Sequence, residues 1–134
     1  MATILIVEDD PTNIQLLSRL LKMKGYDSLV AENRQDAIAL ARENLPDLIL
    51  MDIQMPDEPG GNVSPTAGIE ATKDLKNDPR TSNIPIVATS AHDLPEQRKR
   101  FLEAGSDDIQ SKPYTDFNEL LATIERNLKR SEET

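Results

Sequence analysis

The 134-residue chain contains no cysteine and no tryptophan, one histidine, and only two tyrosines and two phenylalanines. Without thiols, neither disulfides nor thiolate metal sites are available. With so few rings there is no aromatic stripe on which nucleic-acid bases could stack. Long apolar runs are missing too: none approaches the roughly 20 residues that cross a bilayer. Met1-Ala2-Thr3 leads straight into Ile4-Leu5-Ile6-Val7, with nothing resembling a signal peptide. Basic residues are in deficit, 15 Lys and Arg against 24 Asp and Glu, for a formal charge of -9. That balance argues against DNA or RNA as the main partner. The expectation is a soluble, cytoplasmic protein of one domain, long enough to bury a core without staples.

What the sequence does contain is alternation. Short apolar runs, read as buried strands, take turns with segments of helical period. Thr3–Val7 is the first strand. Asp10-Pro11 announces a helix, with Asp as N-cap and Pro at the first helical position; Ile14, Leu17, Leu20 and Leu21 form its stripe and Gly25 ends it. Tyr26–Ala31 is a weaker strand, and Asn33 with Asp36 opens a second helix that Pro46 stops. Leu48-Ile49-Leu50-Met51 then runs directly into Asp52. An irregular segment, Ile53 to Ala67, carries Pro56, Pro59, Gly60, Gly61 and Pro65 before a third helix, Gly68–Asn77. Ile84–Ser90 is the fourth strand, Leu94–Ala104 the fourth helix, Asp108–Ser111 the fifth strand and Asp116–Lys129 the fifth helix, with Phe117, Leu120, Leu121, Ile124 and Leu128 inward. The expected domain is 1–130, with an extended loop at 57–67, a frayed tail at 131–134 and no output domain. Strict alternation of strand and helix implies an α/β fold, a doubly wound parallel sheet with right-handed crossovers.

Such a sheet collects its strand ends on one edge, where open α/β folds place ligands. Glu8-Asp9-Asp10 follows the first strand, Asp52 ends the third, Ser90 the fourth, and Lys112-Pro113 follows the fifth. Taken singly, each has a plain explanation: a solvated strand end, a loop opener, a small strand residue, a surface lysine. Asp10 is better spent capping its helix. Together the acids would repel unless neutralised, and a hard divalent cation such as Mg²⁺ is the usual remedy. A carboxylate nucleophile beside a metal, an ammonium and a hydroxyl suits phosphoryl transfer onto Asp52.

Four motifs, in this order and spacing, resemble the response-regulator receiver domain of two-component signalling over essentially the whole chain: Ile4-Leu5-Ile6-Val7-Glu8-Asp9-Asp10, Leu48-Ile49-Leu50-Met51-Asp52-Ile53-Gln54-Met55-Pro56, Pro85-Ile86-Val87-Ala88-Thr89-Ser90-Ala91-His92, and Gly105-Ser106-Asp107-Asp108 with Ser111-Lys112-Pro113. The resemblance implies a flavodoxin-like five-stranded sheet of order 2-1-3-4-5. It implies Asp52 as phosphoacceptor, Asp9 as a direct ligand and Glu8 as the second acid for Mg²⁺ (or Mn²⁺), with the backbone carbonyl of Gln54 completing the set. Ser90 resembles the switch hydroxyl and Lys112 the phosphoryl-binding lysine. Pro113 would follow a cis bond, and Gln54 and His92 occupy positions that tune phosphoryl lifetime. The implied partners are a histidine kinase or histidine phosphotransfer protein upstream and a protein target reading the fourth helix, fifth strand and fifth helix. The implied role is a stand-alone phosphoacceptor rather than an enzyme acting on a separate substrate. Hydrolases that work through an aspartyl phosphate need a second acid two residues beyond the nucleophile, and here that residue is Gln54. A binding module that had kept only the fold would be expected to lose members of the set Glu8, Asp9, Asp52, Ser90 and Lys112.

Two features depart from the family pattern. Three residues before Lys112 the family usually carries an aromatic, and this chain has Ile109, which removes the usual aromatic readout; Tyr114 is a weak substitute. The matching glycine of the next helix, Gly68, comes sixteen residues after Asp52 instead of about eight. Asp57–Ala67 is therefore either a flap beside the site or a surface insertion, which costs little because closure entropy grows slowly with length. The basic cluster Arg98-Lys99-Arg100 is either a solvated face or a contact for an acidic patch on a partner or on a second copy of the chain.

Overall fold

The first five-residue strand, β1 (Thr3–Val7), lies one strand in from an edge of the sheet, pairing in parallel with β2 (Asp27–Ala31) on one side and β3 (Leu48–Asp52) on the other. The computed structural model describes residues 2–90, 95–112 and 116–132. β3 pairs with β6 (Ile86–Ser90), and β6 with β7 (Asp108–Ser111), so the five-stranded sheet runs β2-β1-β3-β6-β7. Counting only these five strands, that is the expected order 2-1-3-4-5.

Alternate side chains of each buried strand serve opposite layers. Leu5, Val7, Ile49, Met51 and Ile86 pack with Ala37 and Ala41 of α2 (Arg34–Asn44) and with Ala67, Ala71 and Leu75 of α3 (Ala67–Lys76). Ile4, Ile6, Leu48, Leu50 and Val87 face the other way, onto Leu17 and Leu21 of α1 (Pro11–Met23) and Leu120 and Ile124 of α5 (Phe117–Glu132). Phe101 and Ala104 of α4 (Pro95–Ala104) close a third cluster with Ile53, Ile69 and Ala88, against which Ile109 packs.

Local chemistry fixes the boundaries. Asp10 caps α1 by accepting from the Thr12 amide at 2.9 Å, with Pro11 in the first turn. Asn33 accepts from the Asp36 amide at 2.8 Å while its own amide donates to the Asp36 carboxylate at 2.8 Å. Several limits differ from the sequence reading. β2 starts at Asp27 because the Tyr26 amide closes the turn after α1 on the Leu21 carbonyl. β6 starts at Ile86 because the Ile84 amide is held by Thr81 and Pro85 has no N–H to give. Asp116 accepts from the Glu119 amide at 3.1 Å, ahead of α5, which runs on to Glu132 instead of stopping at Lys129. Phe117 does not share the buried stripe; it is exposed in the first turn, and burial begins at Leu120.

The segment expected to be irregular contains an antiparallel ribbon. β4 (Met55–Pro56) pairs with β5 (Val63–Ser64), Met55 opposite Ser64 and Pro56 opposite Val63. The intervening turn is closed by the Gly61 amide on the Glu58 carbonyl at 3.1 Å, and Gly60 takes φ +75, a left-handed conformation that glycine adopts without a Cβ penalty.

Candidate functional site

A cleft of about 470 Å³ opens at the carboxyl edge of the sheet, lined by Glu8, Asp9, Asp10, Asn13, Asp52, Ile53, Gln54, Val63, Ser90 and Lys112. Four strand ends, those of β1, β3, β6 and β7, bring its polar side chains together. Glu8 continues β1, its amide donating to the Ala31 carbonyl at 3.0 Å. Asp52 ends β3 and Ser90 ends β6. Lys112 follows β7 and is held in register by its amide, which donates to the Ser90 carbonyl at 2.8 Å.

Glu8 is buried, not a solvated strand end. Its Oε2 accepts from the Asp9 and Asp10 amides at 3.1 and 3.4 Å; its Oε1 accepts from Asn13 Nδ2 at 3.1 Å and from Lys112 Nζ at 2.7 Å. The same ammonium lies 3.1 Å from Asp52 Oδ2. One lysine thus bridges two buried carboxylates. Oxygens of Glu8, Asp9 and Asp52 all lie within 4.8 Å of one another, a hard-oxygen donor set that fits a divalent cation such as Mg²⁺. The Ser90 hydroxyl donates to Gln97 Oε1 of α4 at 3.4 Å.

The electrostatics follow from crowding. Burial, then the shared hydrogen bond with Glu8, pushes the Asp52 carboxyl up to about 7; Lys112 works against that rise. Glu8 moves the other way: burial would raise it, but hydrogen bonds to Asp52 and Lys112 outweigh burial and hold it below the usual range. Asp9 is raised by burial and by the neighbouring Glu8 charge. Without a cation, the pair Glu8 and Asp52 holds a proton near neutrality, and it resides on Asp52.

All of Glu8, Asp9, Asp52, Gln54, Ser90 and Lys112 meet in this cleft. Asp10 caps α1, and its place on the rim follows from that. Ile109 lies apart on β7, half-buried against the Phe101 cluster. His92, Pro113 and Tyr114 lie outside the described residues. Sequence reasoning missed three contributors. Asn13, one turn into α1, points back at Glu8; its spacing of five from Glu8 was the available signal. The sequence marks Gly68 as the glycine that opens the third helix but not as a neighbour of the Asp52 backbone. A Cβ there would stand 2.0 Å from the Asp52 carbonyl oxygen, so only glycine lets α3 approach the backbone of Asp52. Val63 left no trace in the sequence, because the ribbon that carries it was not foreseen.

A doubly wound parallel sheet with an acid–lysine cleft at its carboxyl edge places the protein among flavodoxin-like α/β folds with a site at the switch point. The chain belongs to the response regulator receiver domain family, whose model matches residues 4–125. It is 40% identical to Protein PilH of Pseudomonas aeruginosa PAO1 over 124 residues, covering 92% of this chain and 95% of that protein. It is 37% identical over 111 residues to the polar-differentiation response regulator DivK of Brucella anthropi, covering 83% and 84% of the two chains. Among solved structures it resembles the receiver domain of the sensor histidine kinase PA1611 from P. aeruginosa PAO1, with TM-score 0.78, 28% identity and coverage of 99% and 98%. That structure carries a magnesium ion coordinated in its active-site cleft. Receiver domains are phosphoacceptor signalling domains that bind Mg²⁺ in their acidic site and work with histidine kinases and downstream targets. Among the described residues no helix is long and apolar enough to cross a membrane.

Proposed function

We propose that this receiver accepts a phosphoryl group on Asp52 from a phosphohistidine of a histidine kinase or histidine phosphotransfer protein. The observation that carries the reading is the pairing of a buried carboxylate, Asp52, with Lys112 Nζ at 3.1 Å inside a three-carboxylate cluster. An oxygen of Asp52 forms the new bond to phosphorus as the phosphorus–nitrogen bond of the donor breaks, and the imidazole leaves with the electron pair. Lys112 stands where it can neutralise phosphoryl oxygens, and Ser90, at the end of the neighbouring strand β6, offers a hydroxyl donor in the same cleft. Glu8, Asp9, Asp52 and the backbone carbonyl of Gln54 would hold Mg²⁺ or Mn²⁺, which when bound offsets the charge of the acids and of the phosphoryl oxygens. By resemblance to the family, Gln54 and His92, two residues past Asp52 and Ser90 in sequence, are modulators of phosphoryl lifetime, and Pro113 is a further modulator.

Phosphorylation replaces one negative charge by about two and adds three acceptor oxygens. Lys112 and Ser90 are drawn to them, and the Ser90 hydroxyl gives up Gln97. Since Gln97 belongs to α4, the signal passes to the α4–β7–α5 face, where a downstream protein or a second copy of the chain reads it. Ile109 repacks against Phe101 in place of an aromatic swing. Incubation with acetyl phosphate and Mg²⁺ followed by intact-mass measurement tests the reading. One labile phosphate on the wild type and none on Asp52→Asn is the expected result; an unmodified wild type, or equal uptake by the variant, overturns it.

A further inference from the structure

The β4–β5 ribbon takes no part in the chemistry above, yet it stands against the site. It springs from the acceptor's own loop, β4 beginning directly after Gln54. Met55 anchors its base in the core, where the Gly68 amide donates to the Ile53 carbonyl at 2.9 Å. Its outer part is braced on α2: the Gln35 amide donates to the Asp57 carbonyl at 3.0 Å, and Arg34 bridges Asp57 at 3.3 Å and Asp74 of α3 at 3.1 Å. These contacts brace the β4 side of the ribbon, and β5 is held to it by the pairing of Met55 with Ser64 and of Pro56 with Val63.

One of those side chains is Val63. Apart from Ile53, which is buried, Val63 is the only apolar residue lining the acid cleft among the described residues, and it is 56% exposed. It also lines a second groove with Glu32, Asp36, Glu58 and Gly60, and the two cavities share only Asp9 and Val63. Val63 therefore forms an apolar ridge at the mouth of a polar site.

We propose that Val63 is a lifetime-determining residue, denying water the approach to a phosphoryl group on Asp52; this rests on the reading of Asp52 as phosphoacceptor. In hydrolysis a water oxygen bonds to phosphorus, the bond from phosphorus to the Asp52 oxygen breaks, and the carboxylate leaves with the electron pair. Inorganic phosphate departs and the water's surplus proton passes to solvent. An isopropyl group offers that water no hydrogen bond and fills space it would occupy. Alanine reopens the space, and threonine keeps the shape while supplying a hydroxyl to hold the water.

The full chain is phosphorylated with acetyl phosphate and Mg²⁺, the donor is removed, and loss of phosphate is followed by intact mass for wild type, Val63→Ala, Val63→Thr and Val63→Ile. The alanine and threonine variants are expected to lose phosphate roughly three- to tenfold faster, with isoleucine at or below the wild-type rate. Loss from the alanine and threonine variants within about twofold of wild type overturns the proposal. A wild type that gains no mass overturns instead the assignment of Asp52, which the uptake step reads separately.

Discussion

Asp52 and Glu8 are two carboxylates in one pocket with unequal fates. Lys112 sits nearer Glu8, at 2.7 Å against 3.1 Å for Asp52, so Glu8 keeps its charge and Asp52 takes the proton. In the unfolded chain Asp52 releases that proton near 3.8, in the folded one near 7. Between those values the folded protein holds a proton the unfolded chain lacks, so this residue's contribution to stability is full below about 4 and is lost as pH rises through 7. Above pH 7 and without divalent cations, Asp52→Asn is expected to be more stable than wild type by roughly 1–3 kcal/mol, the gap closing toward pH 5. Chemical denaturation at a series of pH values in a chelating buffer checks it; a variant that is less stable at pH 8 contradicts the burial of an ionised Asp52. An NMR titration of the Asp52 carboxyl carbon should show the corresponding midpoint near 7.

At the scale of elements, α3 is seated by its own first turn. The ideal Cβ at Gly68 would lie 2.0 Å from the Asp52 carbonyl oxygen and 2.8 Å from Ile53 Cα, both backbone atoms that no rotamer change can move aside. Gly68→Ala is therefore expected to push α3 off the strand end, cost roughly 2 kcal/mol or more, and slow phosphoryl uptake. Thermal unfolding and the mass assay measure the two effects, and a variant matching wild type in both would contradict the close approach. The helices and central strands were legible in the sequence because their signals are local: Asp10-Pro11 and Asn33 as caps, and unbroken apolar runs for β1 and β3. The meeting of Glu8, Asp9, Asp52, Ser90 and Lys112 was legible once strand and helix alternated, since a parallel sheet delivers its strand ends to one edge. The β4–β5 ribbon was not, because two paired residues per strand leave no periodicity to read. Nor was the burial of Thr123 and Asn127 on α5, which follows from partners across the layer. Thr123 donates to Gln110 at 2.9 Å, and Asn127 donates to Asp108 at 2.9 Å.

For the whole molecule, the clustered acids make stability depend on the medium. A cation that binds only the folded site adds about 1.4 kcal/mol for each tenfold rise in its concentration above the dissociation constant. Melting temperature is expected to climb with Mg²⁺, more steeply at pH 8 than at pH 6, because the cation must displace the proton on Asp52. Glu8→Gln and Asp52→Asn should each flatten that climb, and scanning calorimetry across Mg²⁺ concentrations would show it; a wild-type curve insensitive to Mg²⁺ contradicts the donor set.

The ion pair between Glu8 and Lys112 joins residues 104 positions apart. During synthesis β1 and Glu8 emerge well before the matching ammonium, which follows 104 residues later. Until β7 docks beside β6, the early acids have no lysine to offset them. The acid–lysine cleft is therefore complete only once β7 is in place, and a chain truncated before β7 is expected to lack it.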